Sequence, residues 1–294
     1  MAAPHIEIQQ DKSYSASIRN QRIFRGIICI LLCIMSVFPF YLLFVNATRA
    51  SDAIKTGISL LPSSFFARNW ASLMEQQNGM EITIWGAMLN SFIITAPATI
   101  FTVYFSAMTA YGVYVYDFKA KNFVWGFIMA IMMVPAQISI IGFYQFMVKL
   151  HLNNTYVPLI IPAIAAPSTV FFMRQYMQSA LSLEIIEAAR IDGAGEFRTF
   201  NTIVMPLMKP AVATQAIFAF IANWNNLFTP SIMLSGQEKA TMPMFVQLLT
   251  SDQFRVNYGV LYMGLFITIV PIVIVYSLLS RYIIAGVALG GVKE

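Results

Sequence analysis

Six stretches of the sequence contain no Asp, Glu, Lys or Arg: Gly26–Thr48, Ile82–Tyr116, Asn122–Val148, His151–Met173, Pro210–Gly236 and Val256–Ser280. A helix that crosses a bilayer needs about 20 predominantly apolar residues, and every stretch is long enough to supply one. The spacing predicts six transmembrane helices in an all-α polytopic membrane protein. Charged residues make up 11% of the chain, against roughly 25% in soluble domains, so the bilayer replaces water around most of this surface.

Basic residues set the orientation. Counting the connecting segments alternately as inside and outside, the inside ones hold Lys12, Arg19, Arg22, Arg25, Lys119, Lys121, Arg174, Arg190, Arg198, Lys209, Arg281 and Lys293, and the outside ones Arg49, Lys55, Arg68, Lys149, Lys239 and Arg255. Twelve against six is the positive-inside pattern. It predicts a multi-pass protein with both termini in the cytoplasm. The net charge of +5 is then topology and lipid contact, and no nucleic-acid partner is expected. The first span is expected to persist as an anchor, because its Gly26–Val45 core exceeds the ~7–15 apolar residues of a cleaved signal peptide.

The reading divides the chain into a cytoplasmic segment 1–25, a first span 26–45, an extracytoplasmic loop 46–81, a five-span core 82–281 and a cytoplasmic tail 282–294. Cys29 and Cys33 are read as small, buried packing residues. With only His5 and His151 besides, no metal site is expected.

Every predicted span holds proline: Pro39, Pro97, Pro135, Pro162 with Pro167, Pro230 and Pro271. Proline removes a backbone donor and bends a helix, which suits a bundle that rocks but also reflects the ordinary frequency of proline in membrane helices. The absence of ionisable groups from the spans separates function classes more sharply. Ion-coupled carriers usually place such groups inside the membrane, and a membrane enzyme needs clustered acids, nucleophiles or ligands. The chain also lacks a G-x-x-x-x-G-K-[ST] loop. No cofactor is therefore expected on this chain, and ATP with Mg would sit on a partner. Uncharged polar groups within the spans, Asn90, Ser91, Gln137, Gln145, Asn223, Asn225 and Asn226 with Trp224 among them, are candidates to line a substrate pathway. They serve equally as hydrogen-bonding groups between helices. An indole beside amides suits a sugar face and its hydroxyls.

The stretch Arg174–Lys209 carries the most information. Ser182 is a plausible N-cap, Leu183–Asp192 reads as a short helix, and Gly193 as its terminator with positive φ. A second short helix starts near Glu196, with Phe197, Phe200, Ile203 and Val204 as its apolar face; Pro206 and Pro210 end it. Glu184, Glu187, Arg190, Asp192, Glu196 and Arg198 concentrate charge there, beside the small Ala188 and Ala189. Such a helix suits docking into a partner's cleft, and its composition also fits a solvated loop.

Glu187-Ala188-Ala189, then Asp192-Gly193-Ala194, then Ile203, Pro206 and Pro210 resemble the EAA loop of binding-protein-dependent ABC importer permeases, whose pattern is roughly E-A-A-x-x-D-G-A, eight residues, then I-x-[LM]-P-x-x-x-P. Met205 stands where leucine is commoner. Asn90-Ser91, Pro135, Trp224-Asn225 and the Ala285-Gly286…Gly290-Gly291-Val292-Lys293 tail are similar to the carbohydrate branch, in particular the smaller six-span subunit of maltose-type systems. Asn226 stands where an acidic residue is usual.

The resemblance implies a type I ABC importer permease fold and a non-catalytic subunit that translocates a sugar or oligosaccharide, neutral or acidic. A polyol, glycerol phosphate or an ion-coupled mode stands as the alternative. It implies four kinds of partner: a second homologous permease, two ABC ATPase subunits, an extracytoplasmic substrate-binding protein and membrane lipid. The coupling loop, about 182–206, would present Glu184, Glu187, Ala188, Ala189, Arg190, Asp192, Gly193, Ala194 and Pro206 to an ATPase. The tail, read as a poor helix because of its glycines, would reach the ATPases through Gly290, Gly291, Val292 and Lys293. The Gln237–Arg255 connection would touch the binding protein, with Met242 as a position to crosslink.

Overall fold

The computed structural model describes residues 4–251 and 256–290, with the backbone alone for 4–20, 136 and 284–290. Among the described residues every regular element is helical. Four helices are long and apolar enough to cross a membrane, or six if each of two sharply bent pairs is one span.

Helix α1, Pro4–Ala47, begins well before the first charge-free stretch. Between Pro4 and Gly26 there is neither Gly nor Pro, so nothing local stops the helix at the charge boundary. Its apolar part, Gln21–Ala47, has a mean hydropathy of 2.7. Cys29 and Cys33 lie exposed on it, which corrects their reading as buried. A residue facing lipid needs no protein cover, since lipid tails are as apolar as a core.

The chain forms two compact units. The first comprises the residues up to Ala71 together with Asn257–Phe266. It includes helix α2, Ser51–Thr56, and the start of helix α3, Phe66–Gln76. Here the buried Asn69 donates from Nδ2 to the carbonyls of Ala47 and Arg49, both at 2.8 Å, and so caps the end of α1. A Cβ at Gly259 would come within 2.5 Å of Asn69 Oδ1, so glycine is required for this approach.

The second unit, Ser72–Val256 with Ile267–Glu294, is built around helix α4, Ile84–Val115. Thr83 caps it, its side chain accepting from the Gly86 N–H. At 1.5 Å per residue, 32 residues extend roughly 48 Å, more than the ~30 Å hydrocarbon core. Ala98, Ala107 and Ala110 are fully buried along it; small residues let neighbouring backbones approach closely.

The third charge-free stretch is not one straight helix. Helix α5, Lys121–Met132, and helix α6, Ile140–Lys149, are separated by a 3₁₀ turn, and the two arms meet at 81°. Pro135 lacks an N–H and disfavours helical geometry at Val134. The fourth span runs Val157–Ala180, through helix α7, Val157–Ile160, a 3₁₀ turn over Ile161–Ile164, and helix α8, Pro167–Ala180. It takes in Arg174, whose guanidinium lies 4.2 Å from the Trp125 ring centroid in a cation–π contact.

Next come helix α9, Leu183–Ile191, helix α10, Glu196–Thr199, a π-helical turn over Phe200–Val204, and helix α11, Met205–Leu207. The arm Glu196–Leu207 meets helix α12, Lys209–Trp224, at 82°. Phe200 and Val204 are buried, but Phe197 is 70% exposed, so the expected apolar face is shorter than its periodicity suggested. A π-turn shifts the register of a helix face by one position.

The stretch Pro210–Gly236 also departs from expectation. Helix α12 stops at Trp224, and helix α13, Phe228–Met233, follows after a turn. Asn226 Oδ1 accepts from the Thr229 N–H, and Pro230 cannot donate back to Asn226, so the turn is locally encoded. Helix α14, Met242–Leu248, precedes helix α15, Tyr258–Gly290. Helix α15 continues to Gly290 through the tail read as a poor helix; a glycine costs about 1 kcal/mol relative to Ala, which does not by itself end a helix. Gly291, Val292 and Lys293 lie outside the described residues, as does Arg255.

Candidate functional site

Ser182 Oγ accepts from the Glu184 N–H, as an N-cap does. Glu184 stands in the first turn of α9 and Arg190 in the last, each favourable to the helix dipole. The helix ends in a complete Schellman motif: the Ala194 N–H reaches Ala189 O at 2.9 Å and the Gly193 N–H reaches Arg190 O at 3.0 Å. Gly193 has φ +75°, and a Cβ there would meet nothing within 4 Å. Glycine serves backbone conformation alone at this position.

Glu184, Glu187, Ala188, Arg190, Asp192 and Gly193 are exposed, and so is Pro206, in the first turn of α11. Ala194 is half-buried, and Ala189 is buried with Ile186 against the rest of the second unit. Ala189 therefore permits α9 to seat, and Ala188 permits approach from outside. Ile191, 86% exposed, extends the outer face with an apolar side chain.

Glu196 is a hub that sequence reasoning counted only as one charge among several. Its Oε1 accepts from Arg190 Nε at 2.7 Å, and its Oε2 from Tyr116 Oη at 2.6 Å and Tyr111 Oη at 3.0 Å. The Arg190 hydrogen bond, and then that of Tyr116, hold the Glu196 carboxyl below the usual carboxylate range, and the Glu196 hydrogen bond in turn raises Arg190. Tyr114 Oη donates to Leu181 O at 3.0 Å and Tyr104 Oη to Asn201 Oδ1 at 3.1 Å. Four tyrosines from α4 and its C-terminal end thus tie it to the Leu181–Asn201 stretch. The available signal was tyrosines crowded at a span end, which reads first as an interfacial aromatic belt.

A cavity of about 710 Å³ lies elsewhere in the same unit. Asn223 and Asn226 line it, and Gln137 joins Asn226 on a neighbouring cavity of about 340 Å³. Other candidates take different roles. Trp224 is 1% exposed, donates from Nε1 to Thr268 O at 3.0 Å and stacks on Phe220, away from both cavities. An indole N–H in an apolar core must find an acceptor, and here that need is met by packing rather than by a pathway. Asn90 Nδ2 donates to Glu238 O and Ala240 O. Asn225 is the exposed C-cap of α12, and Gln145 is exposed on α6.

Sequence reasoning named Ser91 but missed the hydroxyl stripe on α4 that it opens: Ser91, Thr95, Thr99, Thr102 and Ser106 are all buried. Spacings of three and four put them on one face, a signal present in the sequence but hidden among apolar neighbours. Thr102 and Ser106 donate to Ala163 O and Ala166 O, beside the Pro162–Pro167 break. Ser91 and Thr95 line the larger cavity with Thr241. Leaving a buried hydroxyl unpaired costs about 1–3 kcal/mol, yet Thr95 and Thr241 have no hydrogen-bond partner. Met242, expected to be open to crosslinking, is fully buried, its N–H held by Ser91 Oγ; Gln247 is the exposed position on α14. Among the described residues no three His, Cys, Asp or Glu side chains cluster as metal ligands would.

Comparison with known proteins agrees with this architecture. The family model described as "Binding-protein-dependent transport system inner membrane component" matches residues 102–287. The chain is 37% identical over 265 residues to the arabinooligosaccharides transport system permease protein AraQ of Halalkalibacterium halodurans, covering 89% of this chain and 93% of that one. It is 34% identical to the protein of the same name from Bacillus subtilis, covering 90% and 92%. Its fold is similar to a chain in the crystal structure of a bacterial ABC transporter involved in import of the acidic polysaccharide alginate, with a TM-score of 0.73 at 21% identity, covering 90% of this chain and 97% of that one.

Proposed function

The chain belongs to the family of binding-protein-dependent transport system inner membrane components, and from that membership we propose that it is the permease subunit of an ABC importer for a sugar or oligosaccharide. The relatives named for arabinooligosaccharides support the substrate class. The chain is a transport subunit rather than an enzyme. It works with a second permease, two ATPase subunits that hold ATP and Mg, and an extracytoplasmic binding protein. The α5–α6 pair is one span broken at Pro135, and α12 with α13 forms the fifth, so six spans leave both termini in the cytoplasm.

One observation carries the coupling role. Helix α9 is capped at both ends, exposes Glu184, Glu187 and Ala188, and is bound through Arg190 and Glu196 to the end of α4. A rigid helix with a charged outer face suits docking into an ATPase cleft, and the tie to α4 passes its displacement into the spans. That is a packing change biased by a partner. The Gly290–Lys293 tail is a second contact to the ATPases in this reading.

The test is the complete importer in proteoliposomes. Glu187→Lys, at matched assembly, is expected to abolish ATP-driven uptake while ATP hydrolysis continues. Uptake and substrate-stimulated hydrolysis both at wild-type level would remove α9 from the coupling role.

A further inference from the structure

Ser91 and Thr95 stand four residues apart on α4 and face the larger cavity. Ser91 is engaged: its Oγ accepts from the Met242 N–H at 2.7 Å. That bond holds the start of α14 against α4 and brings Thr241 to the cavity wall. Thr95, 1% exposed, and Thr241, 4% exposed, bring hydroxyls without partners from two separate segments to the same space. A local partner is within reach of a helical threonine, whose hydroxyl can turn to the carbonyl four residues back. Thr214 and Thr202 do so, to Pro210 O and Arg198 O; Thr95 does not. Asn226 fixes its amide at the wall through the Thr229 N–H. None of the described residues lining the cavity is ionisable.

Resting on the reading as a sugar permease, we infer that this cavity is a ligand subsite within this subunit, for an uncharged polyhydroxylated unit such as a neutral sugar ring. Thr95 and Thr241 exchange hydrogen bonds with its hydroxyls. A hydroxyl donates and accepts, so it meets a sugar hydroxyl in either role. Phe143 and Ile94 supply apolar wall for the ring faces. The volume, about 710 Å³, falls within the ~300–1,000 Å³ of small-molecule sites. A carboxylate or phosphate would lose its hydration and find no cation in exchange. The subsite therefore rejects uronic-acid and phosphorylated ligands.

The complete importer with its own binding protein, in proteoliposomes, tests this with four radiolabelled probes. Arabinotriose and maltotriose are neutral; digalacturonate and sn-glycerol 3-phosphate are anionic. Thr95→Val and Thr241→Val keep side-chain shape and remove the hydroxyl, Thr95→Ser keeps it, and Thr241→Ala stands in if a valine variant fails to assemble. Thr99→Val is the control, because its hydroxyl is also buried and unpartnered but lies outside the cavity. The expected result is uptake of a neutral probe and neither anionic one, with KM raised about fivefold by each valine, as for one lost hydrogen bond. Thr95→Ser and Thr99→Val stay within about twofold of wild type, less than the loss of one such bond. Unchanged KM in both valine variants would mean that water alone fills the cavity, and would overturn the inference. So would a loss in Thr99→Val equal to that in Thr95→Val, or transport of an anionic probe as fast as a neutral one. Each of these leaves the sugar-permease reading standing, whereas absence of ATP-dependent uptake for all four probes removes that reading and this subsite together.

Discussion

Glu196, bound by tyrosines at the C-terminal end of α4, and Thr95, on the N-terminal half of that helix, are treated in opposite ways. Glu196 collects three donors, from Arg190, Tyr111 and Tyr116; the hydroxyl of Thr95 has none. A satisfied network is stiff, because moving one member strains every bond in it. An unpartnered buried hydroxyl is a standing cost that something bound can remove. Tyr111 and Thr95 are sixteen residues apart on α4, roughly 24 Å at 1.5 Å per residue. One continuous helix therefore joins the tyrosine attachment to the hydroxyls at the cavity wall.

The strongest way to break this contrast is to empty the hub. Glu196→Ala is expected to lower uptake at least tenfold at matched assembly, a loss of about 1.4 kcal/mol or more, in line with losing hydrogen bonds to a charged group even after discounting its exposure. ATP hydrolysis continues, and KM for a neutral probe stays unchanged, because the cavity is untouched. Glu196→Gln keeps acceptors for the tyrosines and loses less. A change confined to KM would show that hub and cavity are not separate.

A smaller effect sharpens the role of the turn. Gly193→Val forces a β-branched residue to φ +75°, at a cost of about 1–2 kcal/mol, and is expected to lower uptake severalfold. Gly193→Asn tolerates left-handed backbone and stays near wild type. Since a Cβ meets nothing there, equal losses in the two variants would show that α9 docks with this residue against a partner.

The smallest effect is in pH. The folded Glu196 carboxyl lies below its ordinary unfolded value. Its contribution to stability is complete above that unfolded value and is lost only as pH falls through the lowered folded one. At the Leu183–Ile191 amides the Glu196→Gln variant is thus expected to show less hydrogen-exchange protection than wild type, by an amount that stays constant between about pH 6 and 8. Equal protection in the two proteins would mean that the carboxylate charge contributes nothing to the hub.

The Ser182–Ala194 stretch could be read in advance because its determinants are local. A serine cap, a short amphipathic run and a glycine at C′ each act within four residues, and the helix formed to within one residue of its expected end. The broken spans were legible only as prolines. Pro39, Pro97 and Pro271 sit inside continuous helices, whereas Pro135 lies at an 81° break. Whether a proline kinks or interrupts depends on what neighbouring helices offer the freed backbone groups, and that is not written beside it.

The sequence by itself determined the membrane class, the helical content and the capped segment, because hydropathy and capping are sums over neighbours in the chain. Only the tertiary structure decided that Trp224 packs inward while Asn223 next to it lines a cavity, and that Glu196 outranks the other charges around it. It alone brought Thr241 to Thr95 across 146 positions of chain. A polar side chain in a low-dielectric interior is defined by the partner it finds or lacks, and those partners come from residues far away in sequence.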